Sequence, residues 1–361
     1  MHELLSHDGP ILDLANNESP IEPSPTIIRA IFQEAFETHR FPDDDAGDLR
    51  IAIASKHGVV PSQVVVGADV HELLEVAARV ALREGGEVVT GFPASPAYER
   101  AALGAGGTIL RVPLHNWRND LAAIAEGVTA RTRLVIIGNP NDPTGTTVRG
   151  EDLARYCEDL PHHLLLVVDE SFAEYVTEDA FRSALEFHEA HPGLVVLRSF
   201  SFAYGLAGLR IGYAIAGQEL AAYLERERRE YGTGRIAQAA AVATLEDEAQ
   251  LEKVLWTNRT ARQLLCERLD GMGLGYVPSQ TNFVLVRVID AQEVADALLE
   301  TGIRVRTLQE PGLRDYLRIS TGTVEEMHRV ADQLEAICTG EAMRMATRRR
   351  TAHAAVSRSP D

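Results

Sequence analysis

Lysine is nearly absent: Lys56 and Lys253 are the only two in 361 residues. Positive charge rests on arginine, and 35 Lys and Arg face 53 Asp and Glu, a formal net charge of -18. So acidic a surface repels phosphate backbones and anionic bilayers, which argues against nucleic-acid and membrane partners. Cysteine is scarce as well. Cys157, Cys266 and Cys338 are odd in number and scattered through predicted helices, which speaks for buried thiols in a reducing compartment and against a disulfide framework or a metal site. No apolar run approaches the roughly 18 residues of a membrane span. The opening residues, Met1 to Pro10, hold His, Glu and Asp and no apolar core, so no secretory signal is expected. No internal repeat is visible. These absences together give the expectation of a soluble, cytoplasmic protein.

What is present is an ordinary globular balance, 45% hydrophobic and 24% charged, enough for a sizeable core. From about Asp48 to Gly217, short β-branched runs alternate with amphipathic stretches. The runs are 63–67, 87–91, 108–114, 133–139, 163–169, 193–199 and 210–216, with helices predicted over 71–82, 120–128 and 151–160. Runs such as Leu134-Val135-Ile136-Ile137 read as strands buried on both faces, and the alternation predicts an α/β fold with a largely parallel sheet. Ligands in such sheets bind beyond the carboxyl ends of the strands. Three runs end in polar or turn chemistry there: Asn139-Pro140-Asn141-Asp142-Pro143, Asp169-Glu170-Ser171 and Ser199-Phe200-Ser201. Those loops are expected to converge on one site. A long helical stretch, 234–271, leads into a smaller domain of pattern strand, helix, strand, strand, helix. The division expected is an N-terminal arm (1–40) packing on the small domain, a large domain (41–250), a small domain (251–340) and a disordered basic tail (341–361). The tail carries Arg344, Arg348, Arg349, Arg350 and Arg358 among small residues and cannot bury enough apolar area to fold.

Several segments carry a resemblance in matching order from about residue 11 to 338. They are Leu12-Asp13-Leu14-Ala15-Asn16-Asn17-Glu18-Ser19-Pro20, Arg40-Phe41-Pro42-Asp43, Asn139 through Thr146, Val168-Asp169-Glu170, Ser199 through Tyr213, Pro278 through Phe283, and Tyr316-Leu317-Arg318-Ile319-Ser320. On these motifs the chain resembles the histidinol-phosphate aminotransferases of aminotransferase fold type I. The resemblance implies a large domain with a mostly parallel sheet sandwiched by helices, plus a smaller α/β domain. It also implies a homodimer with interfacial active sites, and pyridoxal phosphate tethered to a lysine as a Schiff base.

Mapped onto this sequence, the resemblance keeps part of that site. Asp169 stands where the family's aspartate pairs with the pyridine nitrogen. Ser199, Ser201 and Arg210 stand where the cofactor phosphate is gripped, a charge-assisted arrangement. Arg318 matches the arginine that clamps a substrate carboxylate. Arg306 follows Gly302-Ile303 where relatives with phosphorylated substrates place an arginine, with Arg304 as its competitor, and Asn282 lies in another matched substrate-binding segment.

Other positions depart from the family. Phe202 stands at the Schiff-base lysine, and a phenyl ring can neither form an imine nor shuttle a proton. Neither lysine of the chain lies near this loop in the sequence. Asp142 stands for an asparagine that donates to the cofactor's phenolic oxygen, and Phe172 for a tyrosine that does the same. Ser95 replaces a stacking aromatic, Val70-His71 a Ser-Asp pair at the phosphate cup, and Phe41 a tyrosine reaching the partner's cofactor. If each lost contact is worth about 1 kcal/mol net, five weaken cofactor binding by about three to four powers of ten.

These departures give the expectation of a lysine-less homologue without a resident cofactor, pyridoxal or pyridoxamine phosphate binding only weakly. In that reading the chain is repurposed to bind and transform an amino-acid-like or phosphorylated metabolite, with His71, Asp142 and Asp169 as acid–base candidates. Two alternatives stay open: a non-catalytic partner subunit of an active aminotransferase, and an enzyme that uses pyridoxamine phosphate.

Overall fold

The computed structural model describes residues 9–339, so the expected tail over 341–361 lies outside the described residues. Among the described residues twelve strands occur in chain order: β1 Leu12–Leu14, β2 Val64–Gly67, β3 Glu87–Phe92, β4 Thr108–Pro113, β5 Thr132–Gly138, β6 Leu165–Asp169, β7 Leu194–Ser199, β8 Gly212–Ala216, β9 Tyr276–Val277, β10 Phe283–Arg287, β11 Ile303–Thr307 and β12 Tyr316–Ser320. The chain divides into two compact units. The larger holds Glu18–Arg259 and Val277–Asn282; the smaller holds, among the described residues, 9–17, Thr260–Tyr276 and 283–339.

The larger unit contains a seven-stranded sheet of order β2-β8-β7-β6-β5-β3-β4. The run β4, β3, β5, β6, β7 is parallel, while β8 runs antiparallel to both β7 and β2. Alternate residues of a strand face opposite sides, and both sides here are covered. Leu134 and Ile136 pack into one apolar layer with helices Val70–Ala81 and Pro96–Gly104. Val135 and Ile137 pack into another with helices Leu121–Glu126 and Gly150–Asp159. A third layer, around Phe200 and Tyr213, packs helices Pro25–Ala35, Gly47–His57 and Arg235–Glu246 on β2 and β8.

Helix starts follow capping chemistry. Asp69, Ser95 and Asp120 each accept a backbone N–H of the helix that follows. The stretch expected as one helix over 234–271 is two, Arg235–Glu246 and Glu248–Met272, broken at Asp247. The Asp247 carboxylate accepts from the Gln250 N–H at 3.1 Å and from the Ser24 hydroxyl at 2.5 Å, so it caps the second helix.

The smaller unit contains a sheet of order β1-β11-β12-β10-β9. Only the residues up to Asn17 of the arm expected over 1–40 belong to it. There Leu12–Leu14 adds an edge strand parallel to β11, and from Glu18 onward the chain lies in the larger unit. A three-residue strand is too short for periodicity to reveal. The expected boundary at 250/251 falls at Arg259/Thr260, inside the helix Glu248–Met272. The last helix covers 324–339. No helix among the described residues is long and apolar enough to cross a membrane.

Candidate active site

In the larger unit, the carboxyl ends of β2, β3, β5, β6 and β7 are tied together by side chains. Asp169 ends β6, and its carboxylate is held on both oxygens. Tyr98 Oη donates to Oδ2 at 3.0 Å; the Ser171 backbone N–H and hydroxyl donate to Oδ1 at 3.1 and 2.5 Å. Tyr98 comes from the helix after β3 and is buried. Burial, with Asp169 and then Asp142, pushes its hydroxyl well above the ordinary phenol range, so it stays a donor. Gly138 at the end of β5 makes this contact sterically feasible. A Cβ there would come within 2.8 Å of the Tyr98 oxygen.

On the neighbouring loop, the buried Ser199 accepts the Ser201 N–H at 3.0 Å. Arg210 Nη1 approaches the Ser201 hydroxyl at 3.5 Å, and Arg210 pairs with the carboxylate of Asp69. Arg210 itself is a non-glycine residue at φ 51°, a left-handed conformation that costs roughly 1 kcal/mol or more and is retained where surroundings fix it. Gly212 lies under the start of helix Val70–Ala81, where a Cβ would sit 2.9 Å from the Val70 nitrogen. Phe202 stacks on Phe172, ring centres 4.2 Å apart and 20° from parallel, and joins the β7 loop to the β6 loop.

Asp169, Ser199, Ser201, Arg210 and Phe202 therefore share one neighbourhood, and the field of Asp142 at Tyr98 adds that residue. His71 is on its margin. Its side chain is 56% exposed, with Nδ1 3.6 Å from an Asp69 carboxylate already engaged by Arg210. Ser95 serves as a helix cap, and Phe41, 78% exposed, packs on Tyr231 with centres 4.9 Å apart. Asn282 is buried in the larger unit. In the smaller unit, Arg306 and Arg318 are register partners on β11 and β12. Arg318 lies over the Phe283 ring at 5.4 Å and donates to the Ala15 carbonyl. Arg304 is committed to Asp13 at 2.9 Å, which separates it from its neighbour Arg306.

Sequence reading missed Tyr98 and Asp69. Tyr98 is visible only as the third helical residue after the Ser95 cap, and Asp69 only as a cap. It also placed both lysines far from the Ser199–Phe202 loop. The fold brings Lys56 Nζ to 5.9 Å from the ring centre of Tyr204, two residues beyond Phe202.

This arrangement fits a phosphorylated pyridine cofactor at both ends. Asp169, with its oxygens fixed, matches a protonated ring nitrogen. Ser199, Ser201 and Arg210 offer hydroxyls and a cation to a phosphate, which would share Arg210 with Asp69.

The sequence matches the profile of the family Aminotransferase class I and II over residues 9–334. It is 38% identical over 315 residues to the histidinol-phosphate aminotransferase of Moorella thermoacetica, covering 87% of this chain and 82% of that protein. It is 39% identical over 324 residues to histidinol-phosphate aminotransferase 2 of Methylococcus capsulatus, covering 88% and 87%. Among solved structures, the histidinol-phosphate aminotransferase of Sinorhizobium meliloti in complex with pyridoxal-5'-phosphate superposes with a TM-score of 0.87. That chain is 32% identical, with 91% of each chain covered.

These matches overturn two expectations. Relatives this similar over nearly the whole chain are histidinol-phosphate aminotransferases, and one is solved with pyridoxal phosphate. The repurposed, lysine-less homologue does not stand, nor do its alternatives of a non-catalytic partner subunit or a user of pyridoxamine phosphate. The expectation of no resident cofactor falls with it, and the case against ordinary transamination has no support. The physical error was to add lost contacts as independent terms and to leave out a neighbour no motif reveals, Tyr98 holding Asp169. The chain belongs to the class I and II aminotransferase family.

Proposed function

We propose that this chain is a pyridoxal-phosphate-dependent enzyme of amino-acid metabolism that acts on histidinol phosphate or a closely similar phosphorylated amine. The observation that carries the reading is Asp169, held on both carboxylate oxygens at the end of β6 beside Ser199, Ser201 and Arg210. When bound, pyridoxal phosphate supplies an electron sink for bond breaking at the amine-bearing carbon, while the protein supplies orientation and electrostatics.

Each residue then has a task. Asp169 would accept the ring N–H and favour its protonated form; Tyr98 and Ser171 hold that carboxylate in place. Ser199 and Ser201 would donate to the phosphate, and Arg210 would meet its charge. Phe202 and Phe172 form an apolar wall that keeps water from the ring. Asp142 and His71 are secondary candidates for moving protons. Arg306 and Arg318 offer two cations to an anionic substrate, and Asn282 is a further polar candidate for substrate binding.

The reading includes a homodimer. Ile28, Phe32 and the C-cap Phe36 are 50%, 64% and 68% exposed at spacings of four residues on the helix Pro25–Ala35, an apolar stripe left for a partner. A cytoplasmic setting accords with cysteines that form no disulfide among the described residues. Calorimetric titration of the purified chain with pyridoxal phosphate tests the proposal. Saturation at one site per chain is expected, with about tenfold or greater loss in Asp169→Ala. No saturable binding, or equal binding by Asp169→Ala and Arg210→Ala variants and the parent, overturns it.

A further inference from the structure

A cleft of about 580 Å³ opens in the larger unit between the turn His115–Arg118, helix Leu121–Glu126 and helix Gly150–Asp159. It lies within the volume range of small-molecule sites, and no residue assigned above belongs to it. Leu121, Ala125, Val148 and the ring of Tyr156 give it an apolar floor. Tyr156 is 6% exposed, and its buried hydroxyl has no hydrogen-bond partner among the described residues. A buried hydroxyl left unpaired is costly, and such groups are ordinarily satisfied by protein, water or ligand.

The rim has a pattern of its own. Arg149, Asp152, Arg155 and Asp159 fall on one face of the same helix, so charge alternates in sign along the cleft. Arg149 has only the exposed Glu151 at 3.7 Å, and Arg155, Asp152 and Asp159 have no ion-pair partner among the described residues. A simple anion would meet both carboxylates, and a simple cation both guanidinium groups. A zwitterion satisfies the alternation: its carboxylate takes the forked donors of Arg155, and its ammonium takes Asp152, one turn before it.

We propose that this cleft is a second ligand site, for a free α-amino acid with an apolar or aromatic side chain lying on Tyr156 and Leu121. The cleft wall is also bonded to the loop beyond β5. Asn119 Nδ2 donates to the Gly138 carbonyl at 2.9 Å, Arg118 to the Thr147 carbonyl at 2.5 Å, and Thr146 Oγ1 to the Trp117 carbonyl at 2.5 Å. An occupant therefore borders the segment that carries Asn141 and Asp142.

The test is calorimetry on the full chain saturated with pyridoxal phosphate, using L-phenylalanine and L-leucine. Phenethylamine and 3-phenylpropionate are the probes lacking one charge each. Saturable binding is expected, about tenfold weaker for each singly charged probe and for each of the surface variants R155Q and D152N, but unchanged in Arg318→Ala. Absence of saturation overturns the proposal. So does binding that Arg318→Ala abolishes and R155Q leaves intact, because that result assigns the amino acid to the active site.

Discussion

Removing the Tyr98 hydroxyl tests whether Asp169 is held as described. Tyr98→Phe keeps the ring in its buried layer and deletes one donor, 3.0 Å from Asp169 Oδ2. A hydrogen bond to a charged group contributes about 1.5–3 kcal/mol, so the variant should lose about 2 kcal/mol of folding stability. Ser171 still donates to the other oxygen, so Asp169 keeps part of its aim, and pyridoxal phosphate affinity should fall about fivefold rather than vanish. Gly138→Ala reaches the same contact from the other side, because its Cβ would press the Tyr98 oxygen at 2.8 Å. Overpacking of that kind costs about 1–3 kcal/mol. Once the oxygen is gone the added methyl has less to strike, so the double variant should be less destabilised than the sum by on the order of 1 kcal/mol. Urea unfolding of the four proteins, with a cofactor titration of each, gives both numbers. Strict additivity, or a Tyr98→Phe variant within about 0.5 kcal/mol of the parent in stability and equal to it in affinity, refutes the reasoning.

Further outcomes follow from other contacts. Asp69→Asn keeps a helix cap but removes the charge that occupies Arg210, so pyridoxal phosphate should bind several-fold tighter; weaker binding by calorimetry speaks against the assignment of Arg210. Burial first, then Arg198 and Lys56, depresses His57 to about 3, and its Nε2 lies 2.8 Å from the Tyr213 hydroxyl. The unfolded chain therefore takes up this proton first, near 6.5, so stability from neutral His57 is full above that pH and is lost as pH falls toward 3. Urea midpoints of the parent should decline with a slope approaching about 1.4 kcal/mol per pH unit below 6.5, and His57→Gln should flatten that decline. Phe32→Asp with Phe36→Asp should convert the proposed dimer to monomer by light scattering; an unchanged dimer mass removes that helix face from the interface.

Most of the large sheet was legible because its strands are buried on both faces and read as uninterrupted apolar runs. Leu134 to Ile137 and Leu165 to Val168 needed no partner to be recognised. β1 was not legible, since three residues carry no period and only pairing with Ile303–Val305 makes them a strand. The helix break at Asp247 escaped because the flanking segments share helical composition and the carboxylate's two acceptor contacts are tertiary as well as local. Within the site, residues that lie in family motifs could be named from sequence alone, and residues defined by what they touch could not. Asp69 reads as a cap until Arg210 is placed beside it. Lys56, remote along the chain, nears Tyr204 only because helix Gly47–His57 packs in the same layer as Phe200 and Tyr204.

Arg306 and Arg318 stand directly opposite each other on antiparallel strands, two positive charges where a sheet gains most from unlike ones. A dianion held by both guanidinium groups would therefore be expected to stabilise the smaller unit. The melting point of the whole chain then tests the proposed substrate class: small phosphorylated molecules should raise it in proportion to the logarithm of their concentration, and neutral analogues should leave it where it was.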